Sequence, residues 1–369
     1  MKRVAIVASG ITKFNKSEKS LDSMMLSSIK PIFENTKNLD QKDVDVVLTS
    51  TNANKNYLAN IISELSGIKP KISHSVESLC NSGTNSLVSA YAYISSGLAD
   101  TALVVGAEKT DNPGLVLNWD MSRGEFNHPI FWASMFTSAH MRKYGTSLED
   151  LAYVSIKNHK NALDNPSAYF ERSFSLDDVM HSKNLTENIR LLDCSMPCDG
   201  SAAVLICSEE KATKYTDTPI WITGIGQKTI SASFTKNNDL ASMESTKTAV
   251  ADAYKMSHKT SKDVDVVELH DAFSVCEIIE LEDMGFCEKG QGAKFVRDLY
   301  DTSNKKINPR GGLIGAGHPL GATGIAQVVE IYQQLDGNAQ KRQVSGAKTG
   351  LVHNMSAGST SSTVMVLES

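Results

Sequence analysis

The string Lys42-Asp43-Val44-Asp45-Val46-Val47 returns unchanged as Lys262-Asp263-Val264-Asp265-Val266-Val267, and this repetition sets the reading of the whole chain. Each copy opens a strand. Each follows an apolar strand, Val4 to Val7 and Ile220 to Ile225, and an amphipathic helix, Ser23 to Phe33 and Thr246 to Met256. Each is followed by a second helix (Tyr57 to Ser66; Ala272 to Met284), an unusual turn, another helix and a closing strand (Ala102 to Val105; Ser362 to Leu367). Strands alternating with helices imply parallel sheets covered by helices. The expectation is an α/β protein of two similar halves, residues 1–215 and 216–369, packed about a pseudo-twofold axis.

Between Lys109 and about Arg190 the alternation lapses. Trp119, Trp132, a helix over Met135 to Tyr144 and the helix cap Ser147-Leu148-Glu149-Asp150 mark an insertion in the first half, at about 110–190. It is long enough to cover a site. Ala202 to Cys207 then rejoins the first sheet, and Thr229 to Thr246, rich in Ser, Thr and Asn, reads as a connecting or ligand-facing loop.

With 369 residues the chain can bury a full core. A net charge of −5 argues against a broad nucleic-acid surface while leaving room for a local basic pocket. The six cysteines follow no metal spacing and read as reduced thiols of a cytoplasmic protein. Val4 to Ala8 is too short for the apolar part of a signal peptide, and no run of about 18 apolar residues offers a membrane span.

Four stretches carry chemistry. In Ser78-Leu79-Cys80-Asn81-Ser82-Gly83-Thr84, one thiol sits where the extended run Lys71 to Val76 turns into a helix whose buried face holds Leu87, Ala90, Tyr91 and Ile94. A helix N-terminus favours an anion, so Cys80 is expected to have a lowered pKa and to act as a nucleophile. Read alone, it is first of all a buried structural cysteine. Gly83 suggests close approach by another backbone. In Glu268-Leu269-His270-Asp271-Ala272-Phe273 the repeated strand ends in a histidine, at the sheet edge where ligands bind; packing is the other reading. Residues 311–324 hold six glycines around His318 without matching a phosphate or dinucleotide loop, which presents that imidazole rigidly as a base or oxyanion donor. Finally Ser356-Ala357-Gly358, before the last strand, is small enough to let backbone amides approach a substrate oxygen.

Taken together these stretches resemble the thiolase superfamily over Val4 to Glu368. Cys80-Asn81-Ser82-Gly83 resembles the nucleophile motif. His270-Asp271-Ala272-Phe273 is similar to the His-Asp-Cys-Phe motif of the sterol-carrier-protein type, and Gly317-His318-Pro319-Leu320-Gly321 to Gly-His-Pro-Ile/Leu-Gly. Ser356-Ala357-Gly358 falls on Cys-x-Gly, and Asp199-Gly200-Ser201-Ala202-Ala203 resembles an Asp-Gly-Ala-Ala segment. The resemblance implies a five-layered αβαβα fold, with a mixed, mostly parallel sheet in each half. It also implies coenzyme A thioesters as substrates, no further cofactor or metal, and a homodimer or homotetramer. In roles, it makes Cys80 the acyl carrier and His318 its activator. The enolate oxygen would meet His318 and a water held by His270, and the tetrahedral oxygen the N–H groups of Cys80 and Gly358.

One departure matters. The second cysteine that such enzymes use for Cα proton transfer is replaced at both of its positions, by Ser356 and Ala272, and a serine hydroxyl cannot trade protons like a thiol. The candidate bases are His318, His270, a bound water and Cys276, which lies one helical turn past Ala272. The leading expectation is an acetyl-CoA C-acetyltransferase (acetoacetyl-CoA thiolase) of the sterol-carrier-protein-like branch. The resemblance further suggests a complex with hydroxymethylglutaryl-CoA synthase through a small zinc-ribbon and oligonucleotide-fold protein. The alternatives are a β-ketothiolase or lyase for longer or steroid-derived acyl-CoA, and a non-catalytic acyl-CoA-binding scaffold.

Overall fold

A computed structural model of the chain describes residues 2–110, 126–233 and 236–369; Trp119 lies outside them. The strands are β1 (Val4–Ile11), β2 (Val46–Ser50), β3 (Ile72–Val76), β4 (Thr101–Glu108), β5 (Gly200–Ser208), β6 (Ile220–Thr229), β7 (Val266–Glu268), β8 (Thr349–Ser356) and β9 (Ser361–Glu368).

The repeated string does not open a strand: it opens a turn. Gln41–Asp43 and Ser261–Asp263 each form one 3₁₀ turn, and extended backbone starts only at Val46 and Val266. The acidic residues explain why. Asp43 and Asp263 turn back to accept the N–H of Asp40 (3.0 Å) and of Thr260 (2.8 Å), a local bond that competes with the sheet ladder. Asp45 accepts the N–H groups of Asp100 (2.8 Å) and Thr101 (3.3 Å), where β4 begins. Asp265 accepts those of Lys348 (2.8 Å) and Thr349 (3.0 Å), where β8 begins. Identical sequence thus does an identical job in both halves, setting β2 beside β4 and β7 beside β8.

The strands lie in the order β3-β2-β4-β5-β1-β6-β9-β8-β7. The two half-sheets join edge to edge where Ala5 and Ile6 pair antiparallel with Trp221 and Ile220. In the first half every strand but β5 runs in one direction, and in the second every strand but β9. The second-half counterpart of β3 is reduced to a single parallel bridge, Val267 to Ile307.

Helix Leu320–Leu335 is buried around nearly its whole circumference because it lies between the half-sheets, against β4 and β5 on one side and β7 and β8 on the other. Helix Ser82–Ser95 packs beside it. At the crossing, a Cβ on Gly83 would stand 3.0 Å from the Ile325 nitrogen, which is the close backbone approach expected of that glycine. Helices Leu21–Asn35 and Leu58–Leu65 cover the outer face of the first half-sheet, and Glu244–Ser257 covers β6 and β9. The result is the αβαβα stack. Its central helix layer carries the start of both chemically unusual turns.

Within the insertion, Pro129–Tyr144 and Leu148–Ala162 are helices, the second opened by a reciprocal cap in which Ser147 accepts from Asp150 N–H at 3.1 Å. Trp132, Ala133 and Phe136 are buried against Phe273 and the helix Ser274–Asp283 that follows it.

Candidate active site

Cys80 belongs to a single 3₁₀ turn, Leu79–Asn81, between β3 and helix Ser82–Ser95. The turn requires Leu79 at φ 51°, a left-handed conformation costing a non-glycine residue about 1–3 kcal/mol. Three short bonds hold it: Leu79 N–H to Glu77 Oε1 (2.7 Å), Ser78 N–H to Ser82 Oγ (2.7 Å) and Ser82 Oγ–H to the Leu79 carbonyl (2.6 Å). The cysteine is only 9% exposed and lines a cavity of about 550 Å³.

The thiol is not acidified, which corrects the expectation from sequence. Burial, reinforced by the facing carboxylates of Glu108 and Glu77, pushes Cys80 up to about 12, and the opposing backbone N–H is the weaker influence. Glu108 is itself buried, accepting N–H groups of Asn52 (3.1 Å) and Gly321 (3.0 Å). A helix N-terminus lowers a pKa through an unscreened dipole; here removal of water and two nearby negative charges outweigh it.

His318 arrives from the other half. Its backbone N–H donates to the Met196 carbonyl (2.8 Å), in the stretch between the insertion and β5. Its Nδ1 lies 2.7 Å from Thr323 Oγ1, whose own proton goes to the Pro319 carbonyl at 3.1 Å. The hydroxyl can then only accept, so Nδ1 carries the proton and Nε2 is bare. Burial, with Arg310 nearby, depresses the imidazole to about 3, so it is neutral at physiological pH.

The Cys80 sulfur and one ring nitrogen each of His270 and His318 lie within 4.8 Å of one another, with the imidazoles edge to face at a centroid separation of 5.2 Å. His270 is 2% exposed and is held well below its ordinary pKa by burial, then by His318, His353 and Arg310. Its Nδ1 sits 2.8 Å from Asn354 Nδ2. Among the described residues, this trio is also the one His/Cys/Asp/Glu cluster spaced to hold a metal.

Ser356 and Gly358 line the same cavity. Ala357, Gly358 and Ser359 stand at φ 48°, 68° and 60°, three successive left-handed residues. The loop is held by Thr360 N–H on the Ser356 carbonyl (3.1 Å) and by Ser245, whose Oγ lies 2.7 Å from the Ser359 carbonyl.

Cys276 does not reach the site. It is fully buried among core side chains, contributes nothing to the cavity wall, and burial holds its thiol well above the ordinary range. The cysteine that does line the cavity beside Ala272 is Cys194, paired with Phe273 by an isolated antiparallel β-bridge, with its thiol donating to the Arg190 carbonyl at 3.4 Å. No sequence spacing marks Cys194, because a long-range bridge places it there. Glu108 carries no sequence signal either, standing just past the apolar run Ala102 to Val105. Trp132, Ile130, Leu185, Met196, Phe273 and Met355 make the rest of the wall largely apolar.

The duplicated α/β fold closes around one thiol and two imidazoles, a set able to carry acyl transfer. The family description "Thiolase, N-terminal domain" matches residues 4–210 and "Thiolase C-terminal domain-like" matches residues 226–369. An acetyl-CoA acetyltransferase of Methanothermobacter thermautotrophicus is 36% identical over 99% of both chains, and one of Methanocaldococcus jannaschii is 35% identical over 99% of this chain and 98% of its own. Bovine sterol carrier protein 2 is 37% identical over 77% of this chain and 56% of its own length. Among solved structures, the "Ltp2-ChsH2(DUF35) aldolase" superposes with TM-score 0.87 at 22% identity, covering 100% of this chain and 98% of the other. An acetyl-CoA acetyltransferase of Syntrophomonas wolfei does so with TM-score 0.73 at 18% identity, covering 100% and 99%. The chain belongs to the thiolase family, and it is an acyltransferase.

Proposed function

We propose that the protein is an acetyl-CoA C-acetyltransferase, making or cleaving acetoacetyl-CoA through an acyl-cysteine. The observation that carries this reading is the convergence of the Cys80 sulfur and a ring nitrogen of His318 within 4.8 Å in one cavity of largely apolar wall. His318 Nε2 takes the Sγ proton as sulfur attacks the thioester carbonyl. The oxyanion faces the N–H groups of Cys80 and Gly358, preorganised donors in a dry site. Coenzyme A leaves as its thiolate and collects the proton from His318, leaving a Cys80 thioester. With both second-cysteine positions lost, the same nitrogen, bare again, takes the Cα proton of the incoming acetyl-CoA. The enolate oxygen accepts from His270, directly or through a water. The enolate carbon then attacks the acyl carbon, and Sγ departs and recovers the proton from His318. Thiolysis runs these steps backwards.

One observation favours a second reading. The cavity of about 550 Å³ with its apolar wall is ample for more than an acetyl group, which supports a β-ketothiolase or lyase for longer or steroid-derived acyl-CoA. A non-catalytic scaffold would need neither thiol nor imidazole. The six free cysteines support a cytoplasmic setting, and no helix among the described residues is long and apolar enough to cross a membrane. Assembly as a homodimer or homotetramer belongs to the same reading. So does a complex with hydroxymethylglutaryl-CoA synthase through a zinc-ribbon protein, to which the likeness to the two-component Ltp2-ChsH2(DUF35) aldolase lends support.

Intact-mass spectrometry after mixing with acetoacetyl-CoA tests the reading: an acetyl adduct confined to Cys80 is expected, and its absence favours the scaffold. Steady-state thiolysis of acetoacetyl-CoA against longer 3-ketoacyl-CoA esters separates the two enzymes.

A further inference from the structure

Resting on the thiolase reading, we propose that Asn354, oriented by Gln327, is a positioning residue that holds His270 as the neutral tautomer with its proton on Nε2. His270 is thereby a hydrogen-bond donor to the reacting oxygen and is unable to serve as the base.

The argument starts from groups whose polarity is fixed. Gln327 Nε2 lies 2.8 Å from the Leu269 carbonyl and 3.0 Å from the His353 carbonyl. Two backbone carbonyls can only accept, so the amide nitrogen must face them and Gln327 Oε1 must point the other way. That oxygen lies 3.1 Å from Asn354 Nδ2, which therefore donates to it. The second Nδ2 hydrogen is left for His270 Nδ1 at 2.8 Å. Turning the Asn354 amide over would set its oxygen against Gln327 Oε1. A ring nitrogen that accepts carries no proton, so the imidazole proton sits on Nε2, the nitrogen left free for the cavity.

Asn354 also touches the nucleophile's own turn. Its Oδ1 lies 3.2 Å from Thr84 Oγ1, which in turn lies 2.5 Å from Asn81 Oδ1, beside Cys80. All of these side chains are buried. Gly324 makes room for the contact: a Cβ there would stand 2.8 Å from both Asn354 Oδ1 and the Thr84 nitrogen. The Gly-Ala-Thr-Gly ending of the His318 motif thus serves His318 through Thr323 and His270 through Gly324. The two imidazoles, alike in sequence, are set in opposite roles.

The test labels the nine histidines with ¹⁵N and reads two-bond ¹⁵N–¹H correlations, with His270 assigned by its loss in His270→Gln. Wild type is expected to show Nδ1 bare and Nε2 protonated. In Asn354→Asp, nearly isosteric, an acceptor replaces the donor, so the proton is expected to move to Nδ1 and kcat for thiolysis to fall by about 10²-fold or more, with KM little changed. Asn354→Ala, which removes the donor without adding an acceptor, is expected to lose less. A structural role predicts the reverse order, the isostere being the milder change. Nδ1–H in wild type, or Asn354→Asp retaining the wild-type spectrum and rate, overturns the proposal. The spectrum needs no substrate, so the expected tautomer in a protein without thiolysis would fail the functional reading and leave the positioning role standing.

Discussion

The Cys80 sulfur and a ring nitrogen of His318, carried on opposite halves of a duplicated chain, lie within 4.8 Å of each other. Because the nitrogen turned to Thr323 holds the proton, the free one is a base, and the thiol beside it is uncharged. Cys80→Ala and His318→Ala are therefore expected to lower kcat for acetoacetyl-CoA thiolysis by roughly 10³-fold or more. Retention of near wild-type turnover in either variant would remove the mechanism.

Ser356→Ala is expected to cost less than about tenfold, since a hydroxyl in that place does not shuttle the Cα proton. Cys276→Ala, altering a side chain outside the cavity, is expected to leave turnover nearly unchanged while lowering the melting temperature. A large kcat loss in Cys276→Ala with an unshifted melting temperature would return that thiol to the list of bases.

Acid acts on this site by protonating the base. Burial holds His318 at about 3 instead of the ordinary 6.5, so its bare nitrogen survives well below neutrality. The plot of kcat/KM against pH is expected to run flat through the range where a solvated histidine titrates. An inflection near 6.5 would show His318 in contact with water.

Glu108 raises the Cys80 pKa by its charge. In Glu108→Gln the thiolate is easier to form, so the pH midpoint for alkylation of Cys80 by iodoacetamide should shift downward, as read by intact mass. The direction is what matters: an upward shift would mean the carboxylate acts through structure alone.

Gly324→Ala forces a methyl into the space shared by Asn354 and Thr84. Overpacking of this kind costs about 1–3 kcal/mol, and both stability in urea and thiolysis are expected to fall together. Unchanged stability would show that Asn354 and Thr84 do not close on Gly324.

The halves could be read from a six-residue string because short-range chemistry repeats with the letters: each aspartate satisfies backbone groups a few residues away or on the adjoining strand. The strand start was misplaced for the same reason, since Asp43 and Asp263 bond locally before the ladder can form. Cys80, His270, His318 and Gly358 stood out by composition, as a thiol, two imidazoles and a glycine among turn residues, and the fold brings all four to one cavity.

What the sequence by itself determined was the inventory: a doubled α/β chain, a cysteine at the turn before a helix, and the glycine-framed histidine that the fold sets beside it. Ionisation of Cys80 and proton placement on His270 were decided by tertiary structure. The charge on Cys80 depends on how much water the insertion and Glu108 exclude, and the tautomer of His270 on the Asn354 amide that folds against it. Those partners lie far apart along the chain, where no local pattern encodes their meeting, whereas His318 takes its tautomer from Thr323 within its own turn.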